Sequence, residues 1–557
     1  MIFAHRKYVA RMLSGRDTYG EDGGDRNRTK GNKNTMKQNK KALFPDVKQA
    51  ISTLADYKRA KREAESILAN ERGVWKNVYA SGESSSWIFN SIVNKHADII
   101  DNIPTAVCLP REKRDEADAD MLSRIIPVIM QRCNFEQIYS DNSWEKLKHG
   151  TAIYGVFWNG ALMGGLGDID IRGVRIDDIF WESGVDDIQN SKNLFIVATA
   201  DPNELEASYP HFKYADQRAA DTAVSATLGY SAGEGRCTVV DWYYKKYDDA
   251  GNAILHYCKF AGECALYSSE NDPAYKDSGW YEHGLYPVVF DRMYPRNDGL
   301  CGFGMIAIGE GVQRYINKLD DNVMAYSDWA SRVRFWAKRS LGVNEKEFLD
   351  LDRSIVEVEG DIDEEKLRQI EIARMDGSII DVKRMKIDEL KEITGSRDVS
   401  QGGISGGVTA ASAISILREA GAKSSRDGIE GSYRAYVRII SMIIELIRQF
   451  YDSERTFRIV GESGELSYSG FSGKKLRGDD SHKPFFDIEI SAIKKSPTEA
   501  AERNEFAKAL YDADAFSKEK AAQTLMMLDL MDFEGIGRLK SALRRLLDGT
   551  DVDAQSI

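Results

Sequence analysis

No two of the six cysteines (Cys108, Cys133, Cys237, Cys258, Cys264, Cys301) form a C-x-x-C pair, and no histidine lies at zinc-finger spacing from them. A legible zinc module is therefore excluded, and reduced, mostly buried thiols are expected. Long apolar runs are also missing. The best, Ile439–Ile447, is interrupted by Ser441 and Glu445 and falls far short of a membrane span. The N-terminus lacks the apolar core of a secretory signal. The expectation is a protein that is intracellular where it is made, with no membrane partner. Catalytic signatures are scarce. No G-x-x-x-x-G-K-[ST] loop occurs; Gly421-Ala422-Lys423-Ser424 is only the tail of one, inside a helical pattern. There is no H-E-x-x-H. An enzyme would rest on size alone, so no catalytic residue, cofactor or metal is expected. Positive charge is not in excess either. The net charge of −12 argues against an extended basic coat for nucleic acid.

What is present is an ordinary globular composition, 42% hydrophobic and 29% charged, over 557 residues, enough for three or four domains. The chain is organised around Ile379–Asp452. A helix over SIIDVKRMKIDELKEITGS leads into RDVSQGGISGGV, Arg397–Val408, with glycines at 402, 403, 406 and 407. Glycine visits conformations other residues avoid and loses more entropy on ordering, so this run reads as a mobile connector. Thr409 suits an N-cap. A helix to about Tyr451 follows, about 65 Å long if continuous, with Gly421, Gly428 and Gly431 as possible kinks. Ile429, Tyr433, Val437, Ile440, Ile444, Ile447 and Tyr451 form its apolar stripe, widened by Tyr436, Ile443 and Phe450. Arg434, Arg438, Glu445 and Arg448 fall largely off that stripe.

Taken in order, residues 1–44 carry eleven basic against four acidic residues with no apolar period, the signature of a disordered or partner-ordered arm. Residues 46–72 read as one charged amphipathic helix. A second runs from Ser86 to about Asn102, closed by Pro104, with His96 a structural histidine. Two more occupy 112–149, broken at Asn134. From Gly150 the period changes: TAIYGVFWNG, DIDIRGVRI and NLFIVATA are strands. Asp177, Asp178, Asp186 and Asp187 read as turn and cap residues rather than a metal site. Residues 212–236, small and polar, read as a loop or insertion. A hairpin around Asp248–Asn252 and a strand ending at Pro295 follow. Gly302-Phe303-Gly304-Met305-Ile306-Ala307 mimics a dinucleotide fingerprint but lacks a βαβ frame, and Gly302–Val333 reads as a helix. Short strands and a small helix fill 334–376. After the long helix come two strands around a polar loop, a strand in FFDIEISAIKKS, and helices from Pro497 onward.

The run SQGGISGGVTAASAISILREAGAKSSRD resembles the tunnel loop and following long helix of bacteriophage portal proteins, the ring-shaped DNA gates at one capsid vertex. The Gly-rich loop, the small-residue start at Thr409–Ala413 and the run Arg418, Lys423, Arg426 carry that likeness. The stretch from HGTAIYGVFWN to ELEASYP is similar to the portal wing. Two helices around a small mixed insert, then a Gly-rich loop, then a long helix reproduce the family's order. The resemblance implies an α+β portal fold. After a flexible basic arm (1–44) come a wing (45–301), a stem helix (302–333), a clip (334–376) and a second stem helix (377–396). A tunnel loop (397–408), a long wing or spine helix (409–452), a β-rich junction (453–496) and a helical crown (497–557) complete it.

It further implies a ring of about twelve copies at the capsid vertex of the virion, assembled in host cytoplasm. Double-stranded DNA would be packaged through it by terminase and later ejected. A head-tail adaptor and the major capsid and scaffolding proteins would be the other partners. ATP hydrolysis would belong to terminase, and no cofactor is implied. The tunnel-loop residues would be Arg397, Ser400, Gln401, Gly402, Gly403, Gly406 and Gly407. Lys383, Arg384 and Lys386 would line the channel without reading sequence, and Lys338 and Arg339 would meet terminase or adaptor. Each of these cations has intersubunit or solvent ion pairing as its plain alternative. Two other readings stand beside the portal: a virion scaffold or adaptor with a helical spine, and a Rossmann-type enzyme using Gly302–Ala307.

Overall fold

The computed structural model describes residues 45–61, 86–229, 233, 235–248, 251–296, 299–331, 335–337, 346, 367–369, 374–395, 411–460, 466–478, 482–494, 508, 520–529 and 543. Among them the fold is α+β: helices interspersed with small sheets, every strand pair antiparallel. No described helix is long and apolar enough to cross a membrane. The chain forms two compact units, one from residues up to 70, 95–304 and 422 onward, the other from 71–94 and 305–421.

The larger unit begins with α1 (47–61); the expected continuation to 72 lies outside the described residues. Helix α2 (Trp87–Ile100) follows, its residues up to Asn94 belonging to the smaller unit. Beyond it the chain turns straight into β1 (Asn102–Pro110), so Pro104 sits within a strand rather than in a plain helix stop. Helices α3 (Glu116–Arg132) and α4 (Phe135–His149) are separated by Asn134 in the left-handed region at φ 53, the break its polar side chain favours. Then come β2 (Thr151–Asn159), β3 (Asp168–Gly173), β4 (Ile179–Trp181), β5 (Asn193–Ala200), α5 (Pro202–Ser208) and α6 (Tyr214–Leu228). Strands β6 (Cys237–Tyr247), β7 (Ala253–Ala261), β8 (Cys264–Ser268) and β9 (Val288–Arg292) complete two sheets, of order β3-β2-β9 and β4-β5-β6-β7-β8.

Helix α6 overturns the expected loop at 212–236. Its small residues, alanine above all, are good helix formers. Asp221, Val224 and Leu228, spaced three and four apart, turn inward, and the two apolar ones join the core of the five-stranded sheet. Composition misled where spacing would not have. That sheet is covered on both faces. Val240, Trp242 and Tyr244 of β6 pack with α1 and α6, whereas Cys237 and Val239 pack with Leu205 and Tyr209. Strand β6 is accordingly buried along most of its length instead of alternating. His96 is structural, stacked on Trp144 at 4.3 Å with Nε2 against the Ser140 carbonyl. Asp187 accepts the Gln189 amide as a cap.

A crossing of backbones joins α4 to the later chain. Gly150 closes α4 with φ +83, and a Cβ there would lie 2.1 Å from the Phe303 carbonyl carbon. A Cβ at Gly304 would lie 2.4 Å from the Lys148 carbonyl oxygen. The Gly302 amide donates to Thr151 Oγ1 at 2.8 Å. Strand β10 (Tyr294–Pro295) pairs antiparallel with β11 (Gly302–Phe303). The Gly302–Ala307 fingerprint thus serves chain crossing in an antiparallel setting, which removes the βαβ frame a Rossmann enzyme requires.

The smaller unit holds α7 (Met305–Ser331), the paired β12 (Phe335–Ala337) and β13 (Leu367–Gln369), α8 (Ser378–Thr394) and the first residues of α9 (Ala411–Phe450). From Ala422, α9 belongs to the larger unit. There β14 (Arg455–Val460) and β15 (Leu466–Phe471) form a hairpin and α10 (Lys474–Arg477) a single turn. Strand β16 (Phe486–Lys494) pairs with β1 across the whole ribbon. Helix α11 (Ala521–Asp529) is the described part of the expected C-terminal helices.

Substituting Gly150→Ala is expected to cost several kcal/mol, because backbone strain of about 1 kcal/mol adds to an overlap that only movement of Phe303 relieves. Gly184→Ala, at φ +82 with nothing within 4 Å, is expected to cost about 1 kcal/mol. Urea unfolding of both variants checks this; equal losses would contradict the crossing.

Candidate functional site

In the smaller unit, α7 and α8 form an antiparallel pair whose register is set by named contacts. The Met375 amide donates to Tyr326 Oη at 3.0 Å. Lys383 pairs with Asp320, Lys386 Nζ lies 5.7 Å from the Tyr315 ring centre, and Leu390 lies against Gly309. At the Leu390 end, Thr394 donates to Ser91 and the Ile88 amide to Gln313. Burial is confined to that end. In α7 the buried residues run from Met305 to Ile316, and in α8 they are Leu390 and Thr394. Further along, Met324, Trp329, Ile380, Val382 and Met385 are exposed, as is Tyr315.

Of the three expected channel cations, Lys383 and Lys386 are engaged, the latter also with Glu389 at 2.6 Å. Arg384 is different. Its side chain is 76% exposed, and Asp381, 73% exposed, lies 3.9 Å from it. A pair of that kind contributes little. Across both helices eight carboxylates face six basic side chains, so the pair is not a basic sleeve. The tunnel-loop residues Arg397, Ser400, Gln401, Gly402, Gly403, Gly406 and Gly407, with Lys338, Arg339 and the Thr409 cap, lie outside the described residues.

In the larger unit α9 is fixed by a buried polar lock. Lys146, from the inward face of α4, is fully buried. Its Nζ donates to Asp291 Oδ1 at 2.6 Å, the Gly428 carbonyl at 2.7 Å and Ser432 Oγ at 2.8 Å. Ser432 Oγ donates to Asp291 Oδ2 at 2.8 Å. All three ammonium protons are used. Gly428 and Gly431 let the helix come close, since added Cβ atoms would meet Met293 and the Arg292 carbonyl at 3.1 and 3.3 Å. They serve contact within one element that runs from Ala411 to Phe450. The neighbouring hydroxyls of Tyr139 and Tyr154 are pushed up, first by burial and then by the Asp291 charge.

Further clamps follow along the helix. Lys95 donates to Ser425 at 2.9 Å and Ser425 to Asp98 at 2.6 Å; burial holds the Lys95 ammonium below its usual range, against the pull of Asp98. Tyr451 donates to Asp168 at 2.6 Å. Arg448, expected off the apolar stripe and therefore outward, is instead buried. Its Nε and Nη2 donate to the carbonyls of Leu476 and Pro484 at 2.9 and 2.7 Å. The C-terminal loops cover that face and leave carbonyls for it. Sequence reading missed Lys146, Asp291 and Ser432. The available signal was a lone carboxylate in the apolar strand VVFDR.

A family model for the phage P22-like portal protein matches residues 90–294 and 346–556, well over half of the chain. No curated protein matches it.

Breaking the lock by Lys146→Met leaves Asp291 buried and unpaired, and is expected to cost about 3–5 kcal/mol. The double variant Lys146→Met, Asp291→Leu removes both charges and is expected to recover much of that loss. Chemical unfolding of the two variants checks it; a double variant as unstable as the sum of both singles would contradict the pairing.

Proposed function

Because the chain belongs to the phage P22-like portal protein family, we propose that about twelve copies close into a ring around a channel for double-stranded DNA. Terminase packages the genome through it, and the genome later leaves by the same route. The family is structural, and ATP is hydrolysed by the motor that docks on the ring. In this reading the larger unit holds most of the wing (45–301) and the crown (497–557), directed to capsid and scaffolding proteins. Residues α7 and α8 are the stem, 334–376 the clip for terminase and then the adaptor, and 397–408 the tunnel loop.

The observation that carries this reading is the distribution of burial on α7 and α8. In a single chain the hairpin is packed at one end and bare at the other, with Met324 64% and Met385 68% exposed. Apolar surface of that extent marks a contact with another molecule, and side-by-side copies in a ring would supply it. The near balance of charge fits passage: many tight phosphate contacts would hold DNA rather than let it slide. Arg384 is the stem cation best placed to touch phosphate without reading sequence. The scaffold or adaptor reading predicts the same helices without a ring.

Negative-stain electron microscopy of the purified chain tests the ring. Closed rings of about twelve subunits with a central hole are expected; monomers or dimers across a range of salt would favour the scaffold. Deleting Gln401–Gly407 is expected to leave rings intact and impair packaging or retention of DNA. Normal packaging by that deletion would remove the gating role from the loop.

A further inference from the structure

We propose that the free edge of β16 takes an added strand from a second copy of this chain: an extended stretch of that copy's basic arm, residues 1–44. The proposal rests on the ring reading and names a contact by which one copy clasps the next.

The β1–β16 ribbon is two strands wide, so it has two edges. Two amides set the phase of its ladder. The Arg111 amide donates across the ribbon to the Phe485 carbonyl at 3.4 Å, and the Cys108 amide donates away from β16, to Ser123 Oγ of α3 at 2.8 Å. Backbone groups alternate along an antiparallel pair, so even-numbered residues of β1 point outward. Their partners in the register, Phe486, Ile488, Ile490 and Ala492, point outward on the other side. The β1 edge is closed. Pro104 and Pro110 have no amide to offer, Ser123 holds Cys108, and Tyr433 donates to the Asn102 carbonyl at 3.4 Å. The β16 edge lacks these devices. It runs over Phe486–Lys494 without proline, glycine or a shift of register. Among the described residues nothing pairs with its outward backbone groups.

Folded proteins blunt or cover regular edges, because such edges invite pairing. Here one edge of a ribbon is blunted and the other is left regular. The side chains beside the open edge select what it admits. Asp487 and Glu489 stand exposed on the outer face, opposite Leu109 and Val107. Arg111 pairs with Asp487 at 2.7 Å, but both are exposed and such a pair contributes little. Two β16 strands laid side by side would bring these carboxylates together, which disfavours self-pairing. A basic strand gains from them. The arm supplies one, with eleven basic against four acidic residues, and at about 3.3 Å per extended residue it has ample reach. The edge is unpaired within one copy, so the added strand comes from outside it. Main-chain hydrogen bonds then give the affinity and the carboxylates the choice of partner. A cyclic ring needs two different surfaces to meet at every boundary, and an arm and an edge are two such surfaces.

Hydrogen exchange of the full chain, read amide by amide, tests this. The outward amides of Phe486, Ile488 and Ile490 are expected to exchange about a hundredfold more slowly in rings than in dilute protomers. Deleting residues 1–44 is expected to remove that protection. The inward amides of Asp487 and Glu489 are the reference, since β1 protects them in every case. Outward amides as fast in rings as in protomers would overturn the added strand and leave the ring reading standing. Protection that survives the deletion, or is already present in dilute protomers, would overturn the second copy's arm as its source. Absence of rings in the parent chain would overturn both readings. A second variant, Glu489→Lys, is expected to raise the concentration for half-assembly about threefold with protomer unfolding unchanged, since the side chain is exposed. Assembly indistinguishable from the parent would likewise overturn the proposal.

Discussion

The ammonium group of Lys146 is the constraint on which the larger unit depends. Placing a charge at full burial is costly, and the cost is offset only when every proton finds an acceptor. Here the acceptors come from β9 and from two positions of α9 one turn apart. An apolar stripe alone would let a long helix slide by a turn along its groove, because one isoleucine packs much like the next. The lock admits one register. Gly428 and Gly431 belong to the same device, since any side chain there would hold the helix away from Met293 and the Arg292 carbonyl.

The two units differ in how complete they are. Where α9 crosses the larger unit it is tied at Ser425, Gly428, Ser432, Arg448, Gln449 and Tyr451. The α7–α8 pair, by contrast, has a core at one end only.

Most elements were legible because their period is strong. The apolar stripe from Ile429 to Tyr451, the switch from helices to strands after Gly150 and the break at Asn134 each follow from local rules. The failures have physical causes. At 214–228 alanine and small polar residues resembled a loop, although Asp221, Val224 and Leu228 kept helical spacing. Strand β1 was unreadable because its partner β16 lies near the other end of the sequence, and nothing local signals a pairing made at that separation. Arg448 was read from its helix alone, and the carbonyls that bury it come from Leu476 and Pro484.

The sequence by itself determined most of the helices and strands and the family, since these depend on local spacing and short motifs. Tertiary structure decided which polar side chains are buried and what they hold. Lys146, Asp291 and Ser432 are separated by well over a hundred residues at each step, and each is unremarkable in its own window. Only folding brings them within hydrogen-bonding distance, and only there does a lysine on a helix become the pin that sets the register of another.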